Sequence, residues 1–101
     1  MDIYINAIEH DNHTSAESYY QTELTKRLSK YQFIHSVELW VRKTEDHQYK
    51  VSIKALPKGG RMFAEEIDHN EEMAFTKAIK KLRAQLSKFK TSRFRSQSGG
   101  E

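Results

Sequence analysis

Between Lys77 and Arg95 the sequence carries Lys77, Lys80, Lys81, Arg83, Lys88, Lys90, Arg93 and Arg95 and not one carboxylate. Cations at this density do electrostatic chemistry: they neutralise the charges of a polyanion and release its counterions. The chain has 17 Lys and Arg against 14 Asp and Glu, a formal net charge of +3, so what lies outside this stretch is net acidic. On a helix Lys77 and Lys81 stand four apart, where like charges repel. No acid anywhere is expected to relieve them, which favours a polyanionic partner over a merely solvated face.

Other side chains invite chemistry and fail to assemble it. Five histidines are present, and His10-Asp11-Asn12-His13 is the tightest group. A metal site needs three or four ligands converging with a supporting shell, whereas His35, His47 and His69 fall in separate strand ends and loops, so no metal is expected. Glu65, Glu66 and Asp68 resemble a carboxylate cluster, but consecutive residues on a strand point to opposite faces, which rules against a shared proton. There is no cysteine, no serine elbow, no phosphate-cradling glycine loop and no His-Glu helix pair. The expectation is a protein that is not an enzyme and takes no cofactor or small-molecule substrate. Trp40 has two readings: a stacking platform for bases, or a cover for the open side of a sheet. Tyr19, Tyr20, Tyr31, Phe75 and Phe89 read as core or core rim.

The elements that must position the cations follow from periodicity. Ile3 to Ile8 is short and β-branched and reads as a first strand. Thr14-Ser15-Ala16-Glu17 fits a capping box, placing a helix start at Ser15, with Ala16, Tyr20, Leu24, Leu28 and Tyr31 as its core stripe. Lys26 and Lys30 run along its edge. Arg27 falls inside the stripe, with its stem expected on apolar surface and its guanidinium reaching out. Val37, Leu39 and Val41 alternate with polar neighbours, as do Tyr49, Val51, Ile53 and Ala55 after the break at Thr44 to Gln48, giving two half-buried strands. Leu56-Pro57-Lys58-Gly59-Gly60 supplies a turn into a fourth strand over Arg61 to Ile67. Asp68, His69 and Asn70 offer a cap, and Glu71 and Glu72 suit the first turn of a second helix. That helix packs Phe75, Ala78, Ile79, Leu82, Leu86 and Phe89, and is expected to end near Lys90. The order β-α-β-β-β-α gives an α+β two-layer sandwich: a four-stranded sheet with both helices on one face. Residues 1–92 are expected to form one domain and 93–101 a flexible polar tail. No run approaches a membrane span and no secretion signal is seen, so cytoplasmic is the default.

In Ile79-Lys80-Lys81-Leu82 followed by Gln85-Leu86-Ser87-Lys88, in Leu28-Ser29-Lys30-Tyr31, in the Pro57-Lys58-Gly59 turn and in the element order, the chain resembles the ribosome hibernation-promoting factor and ribosome-associated inhibitor family of bacterial cytoplasmic proteins, from about Met1 to Arg93. It departs from that family's usual pattern at Gln21, Thr25 and Glu72. The resemblance implies a fold akin to double-stranded RNA binding domains and a partner in the small ribosomal subunit. There the family occupies the mRNA and tRNA channel and silences translation under stress. It also implies that contacts to ribosomal RNA come from both helices, here Lys26, Arg27, Lys30, Lys77, Lys80, Lys81, Arg83, Lys88 and Lys90. The best of these are the line Lys77, Lys81 and Lys88 with Lys80. Long family members carry a dimerisation domain after this one; the chain resembles the short forms and is expected to be a monomer off the ribosome. Two other readings share the charge: a general double-stranded RNA binding module, and a domain that docks its basic amphipathic helix on an acidic partner or membrane surface.

Overall fold

The alternating apolar runs become four strands and the two amphipathic stripes become helices, in the order β1 (Asp2–Ala7), α1 (His13–Leu28), β2 (Ile34–Lys43), β3 (Tyr49–Pro57), β4 (Met62–Asp68) and α2 (Glu71–Gln97). The computed structural model describes the backbone of residues 1–7 and 13–97 and the side chains of residues 1–6 and 17–90. The sheet order is β1-β2-β3-β4, with β1 parallel to β2 and the other pairs antiparallel. A parallel pair needs a crossover, and α1 is that crossover. It packs over β1, while α2 packs over β3 and β4. Val37, Leu39, Val41, Val51, Ile53, Ala55 and Ala64 point from the sheet into a single core with Tyr20, Leu24, Leu28 and Tyr31 on one side and Phe75, Ala78, Ile79, Leu82 and Leu86 on the other. The expected two-layer α+β sandwich is the observed fold.

The turns follow from local chemistry. Gly60 donates its amide to the Pro57 carbonyl at 3.1 Å, and Gly59 between them has φ 78°, the left-handed conformation that glycine adopts without steric cost. Asn70 caps α2: its Oδ1 accepts from the Met73 amide at 3.0 Å, while Asp68 Oδ1 accepts from the Asn70 amide.

Two boundaries and one side chain's burial differ from expectation. α1 begins at His13 instead of Ser15, so Thr14 lies within the first turn; the side chains of the expected capping box up to Ala16 are outside the described residues. α2 does not stop near Lys90 but continues to Gln97, because nothing between Lys90 and Gln97 is proline or glycine and hydroxyl residues alone do not end a helix. Tyr19, expected at the core or its rim, is 45% exposed. The His10-Asp11-Asn12-His13 side chains lie outside the described residues, as do those of Arg93 and Arg95. Among the described residues no three His, Asp or Glu are grouped to hold a metal ion, and no helix is long and apolar enough to cross a membrane.

Candidate nucleic-acid interface

The two helices run in the same direction across the sheet. Near their first halves Tyr20 hydrogen-bonds Glu71 and packs its ring on Phe75 at 5.0 Å; near their ends Tyr31 meets Ser87 at 3.3 Å. The first contact is acidic: burial, reinforced by the hydrogen bond to Glu71, pushes the Tyr20 phenol far above its ordinary pKa. Glu71 and Glu72 occupy the first turn of α2, and Lys26 and Arg27 the last turn of α1. Acids at the positive end of α2 and cations at the negative end of α1 are each placed in the favourable sense of the helix dipole.

The lysines of α2 divide into two sets. On β4, Ala64 and Glu66 face the helices while Phe63, Glu65 and Ile67 face away, since the strand alternates. Glu66 reaches Lys81 at 3.4 Å and Asp68 reaches Lys77 at 2.7 Å. Each lysine side chain remains about half exposed, at 47% for Lys77 and 54% for Lys81. Asp68 sits below its ordinary pKa because Lys77, and then the Asn70 amide, hydrogen-bond its charged form, and Lys77 sits above its own because of Asp68. The expectation that no acid relieves Lys77 and Lys81 is thus corrected: the relief comes from the neighbouring strand.

Arg27 is also engaged. Its Nε donates to Glu23 at 3.0 Å and its guanidinium lies 6.0 Å from the Phe75 ring centre, so the head itself is held along the helix over an aromatic ring. No carboxylate among the described residues is within ion-pairing distance of Lys26, Lys30, Lys80, Arg83, Lys88 or Lys90. Lys30 and Arg83 converge on Tyr31 at the seam between the helices, with the Lys30 ammonium 5.2 Å from the ring centre. Burial raises the Tyr31 phenol's pKa, but hydrogen bonds from Ser87 and Arg83 and the charge of Lys30 outweigh it, and the net shift is downward.

The opposite face of the sheet has another character. Lys54 pairs with Glu38 at 3.4 Å, and Glu65 accepts from the Ser52 hydroxyl at 2.7 Å and lies 3.8 Å from Lys50. Trp40 is half-buried there beside Arg42, Lys50, Ser52, Phe63 and Glu65. These cross-strand pairs leave the face charge-balanced, and the tryptophan lies opposite Val37, Leu39 and Val41 as its position in the alternation requires.

Fold and surface together define the class: a two-layer β-α-β-β-β-α sandwich that presents one charge-balanced sheet face and one cationic helical end. Among solved structures it is similar to the N-terminal domain of Protein Y from Thermus thermophilus, at 20% identity and a TM-score of 0.74, covering 88% of this chain and 99% of that one. It is likewise similar to a ribosomal subunit interface protein from Coxiella burnetii, at 21% identity and a TM-score of 0.70, covering 90% of this chain and 99% of the other. No curated protein matches it in sequence. The family model described as Sigma 54 modulation protein / S30EA ribosomal protein matches residues 3–93, and the chain belongs to that family. Its members are ribosome-associated factors, not enzymes.

Proposed function

We propose that this protein is a cytoplasmic ribosome hibernation factor that inhibits translation under stress by binding ribosomal RNA in the mRNA and tRNA channel of the small subunit. The observation that carries the reading is the group Lys26, Lys30, Lys80, Arg83, Lys88 and Lys90, brought to one end of a helix pair with no described carboxylate to neutralise it, in a chain of this family. The mechanism needs no bond making. The cations neutralise phosphates, and the sandwich fills space that messenger and transfer RNA would otherwise occupy. Structured RNA offers phosphates and 2′-hydroxyls more readily than base edges, which suits a rigid pair of helices. Lys77 and Lys81 belong to a weaker tier of contacts, since engaging RNA would set them in competition with Asp68 and Glu66. The protein is proposed to act as a monomer.

The test is translation in vitro together with co-sedimentation with small subunits. Lys26→Glu, Lys80→Glu and Lys88→Glu in one chain, with the fold checked by circular dichroism, should lose at least about tenfold in affinity and in inhibition, because each reversal removes a phosphate contact and adds repulsion. Undiminished inhibition by that variant would refute the assignment. A general double-stranded RNA binding module is separated by competition: free duplex should displace the protein from subunits poorly if the channel is the target, and at comparable affinity if it is not. Docking of a detached α2 on an acidic partner is disfavoured, because Phe75, Ile79, Leu82 and Leu86 are each at most 1% exposed against the sheet.

A further inference from the structure

An aromatic row leads away from the cationic seam. Tyr31 meets Phe33 edge-on at 6.0 Å, and Phe33 stacks on Phe89 at 5.7 Å with 30° between the rings. Phe89 is held against the β3–β4 turn, where a Cβ on Gly60 would come within 2.8 Å of its ring. Phe33 and Phe89, both half-buried, line an open cavity of about 240 Å³ together with Gln32, Ile34, His35, Lys58 and Lys90. The β2 register shifts between Ile34 and Ser36, so His35 is the extra residue of a bulge, the device that re-aims a side chain at the edge of a site. Among the described residues no carboxylate lines the cavity.

We infer that this cavity is a binding site for one unstacked nucleobase of single-stranded RNA, with Phe33, backed by Phe89, as the stacking surface, Lys90 toward the adjoining phosphate, and Gln32 and His35 at the base edge. The cavity is smaller than the roughly 300–1,000 Å³ of a site for a drug-sized ligand, which suits a base and not a whole dinucleotide. Apolar rings beside the Lys90 ammonium, with no acid among the described lining residues, select a flat, π-faced anionic ligand over an acidic peptide, whose side chains would leave the rings uncovered. Sequence-tolerant recognition of single strands uses this combination of stacking and charge. The site deepens the ribosomal reading, on which it rests for the source of the strand: the helices would hold structured RNA by its phosphates, and the pocket would take a base splayed out beside it.

Fluorescence anisotropy on the full chain, at about 50 mM salt where phosphate contacts are strong, tests it with labelled hexaadenylate and a matched hexamer of abasic ribose. The unsubstituted protein should prefer the base-bearing strand by about tenfold or more, the scale of one stacked base. Phe33→Leu keeps apolar packing but removes the π face, and should abolish the preference. Lys80→Glu, outside the cavity, should weaken both strands and leave the ratio unchanged. Equal affinity for the two strands, no binding of either, or a preference that survives Phe33→Leu would each overturn the site. Failure of the ribosomal reading looks different: the chain would not co-sediment with small subunits, yet the hexamer preference and its dependence on Phe33 would stand.

Discussion

Asp68 and Lys77 shift each other's titration in opposite directions, and this gives their pair a defined pH window. Asp68 is depressed from 3.8, first by the Lys77 hydrogen bond and then by the Asn70 amide. Its share of stability is therefore present above pH 3.8 and lost as pH falls through the lower folded value. Lys77 is raised from 10.5, so its share is present below that pH and lost as pH rises through the higher folded value. Lys77→Met should accordingly lower the urea midpoint at neutral pH, and the two proteins should converge at the acid pH where the carboxyl is protonated. A gap that stays constant down to that pH would mean that the lysine stem, not the ion pair, carries the effect. The consequence for binding is that a phosphate approaching Lys77 must displace a carboxylate already in place, whereas one approaching Lys80 need not.

At the scale of elements, β4 shows both what the sequence makes legible and what it hides. Alternation places Glu65 and Glu66 on opposite faces, and they do part, one to Ser52 and Lys50, the other to Lys81. Which lysine Glu66 would find was not legible, because the pairing depends on how α2 lies across β4, and no periodicity within either element fixes that. The stripes Tyr20, Leu24, Leu28 and Phe75, Ile79, Leu82, Leu86 were legible because burial on one face imposes a repeat on the sequence itself. The Phe33–Phe89 cavity was not, since it joins a connecting segment to a distant helix and a bulge. Gln85 is a similar case. Its amide donates to the Phe63 carbonyl at 2.8 Å and accepts from the Phe63 amide at 3.3 Å, pairing part of the free edge of β4 as a neighbouring strand would. Gln85→Ala should cost about 1 kcal/mol in urea unfolding and speed exchange of the Phe63 amide, whereas Gln85→Glu, which retains only the acceptor, should fall between. Exchange at Phe63 that ignores both substitutions would show the edge to be protected by other means.

At the scale of the whole molecule the governing feature is that the two helices run the same way. A crossover from β1 to β2 and a return from β4 leave both helices descending the same sheet face, so the acidic first turn of α2 and the basic last turn of α1 lie at opposite ends. A net charge of only +3 thereby becomes a dipolar molecule that can be steered end-on toward a polyanion. The set without an ion-pair partner among the described residues, Lys26, Lys30, Lys80, Arg83, Lys88 and Lys90, sets the expected salt dependence. Six phosphate contacts at about 0.7 to 0.9 counterions each give a slope of about −4 to −5 in log affinity against log salt, close to a thousandfold loss between about 50 and 200 mM. Reversing Lys26, Lys80 and Lys88 should take away about half of that slope. Neutralising Lys77 and Lys81 together should change it by less than about one, because their charges are already balanced by Asp68 and Glu66. Measured on small subunits, equal slopes for the two variants would place the lysines of α2 on one footing and remove the distinction that β4 imposes. A slope near zero for the unsubstituted protein would mean that shape and stacking hold it, with the cationic end serving only to steer its approach.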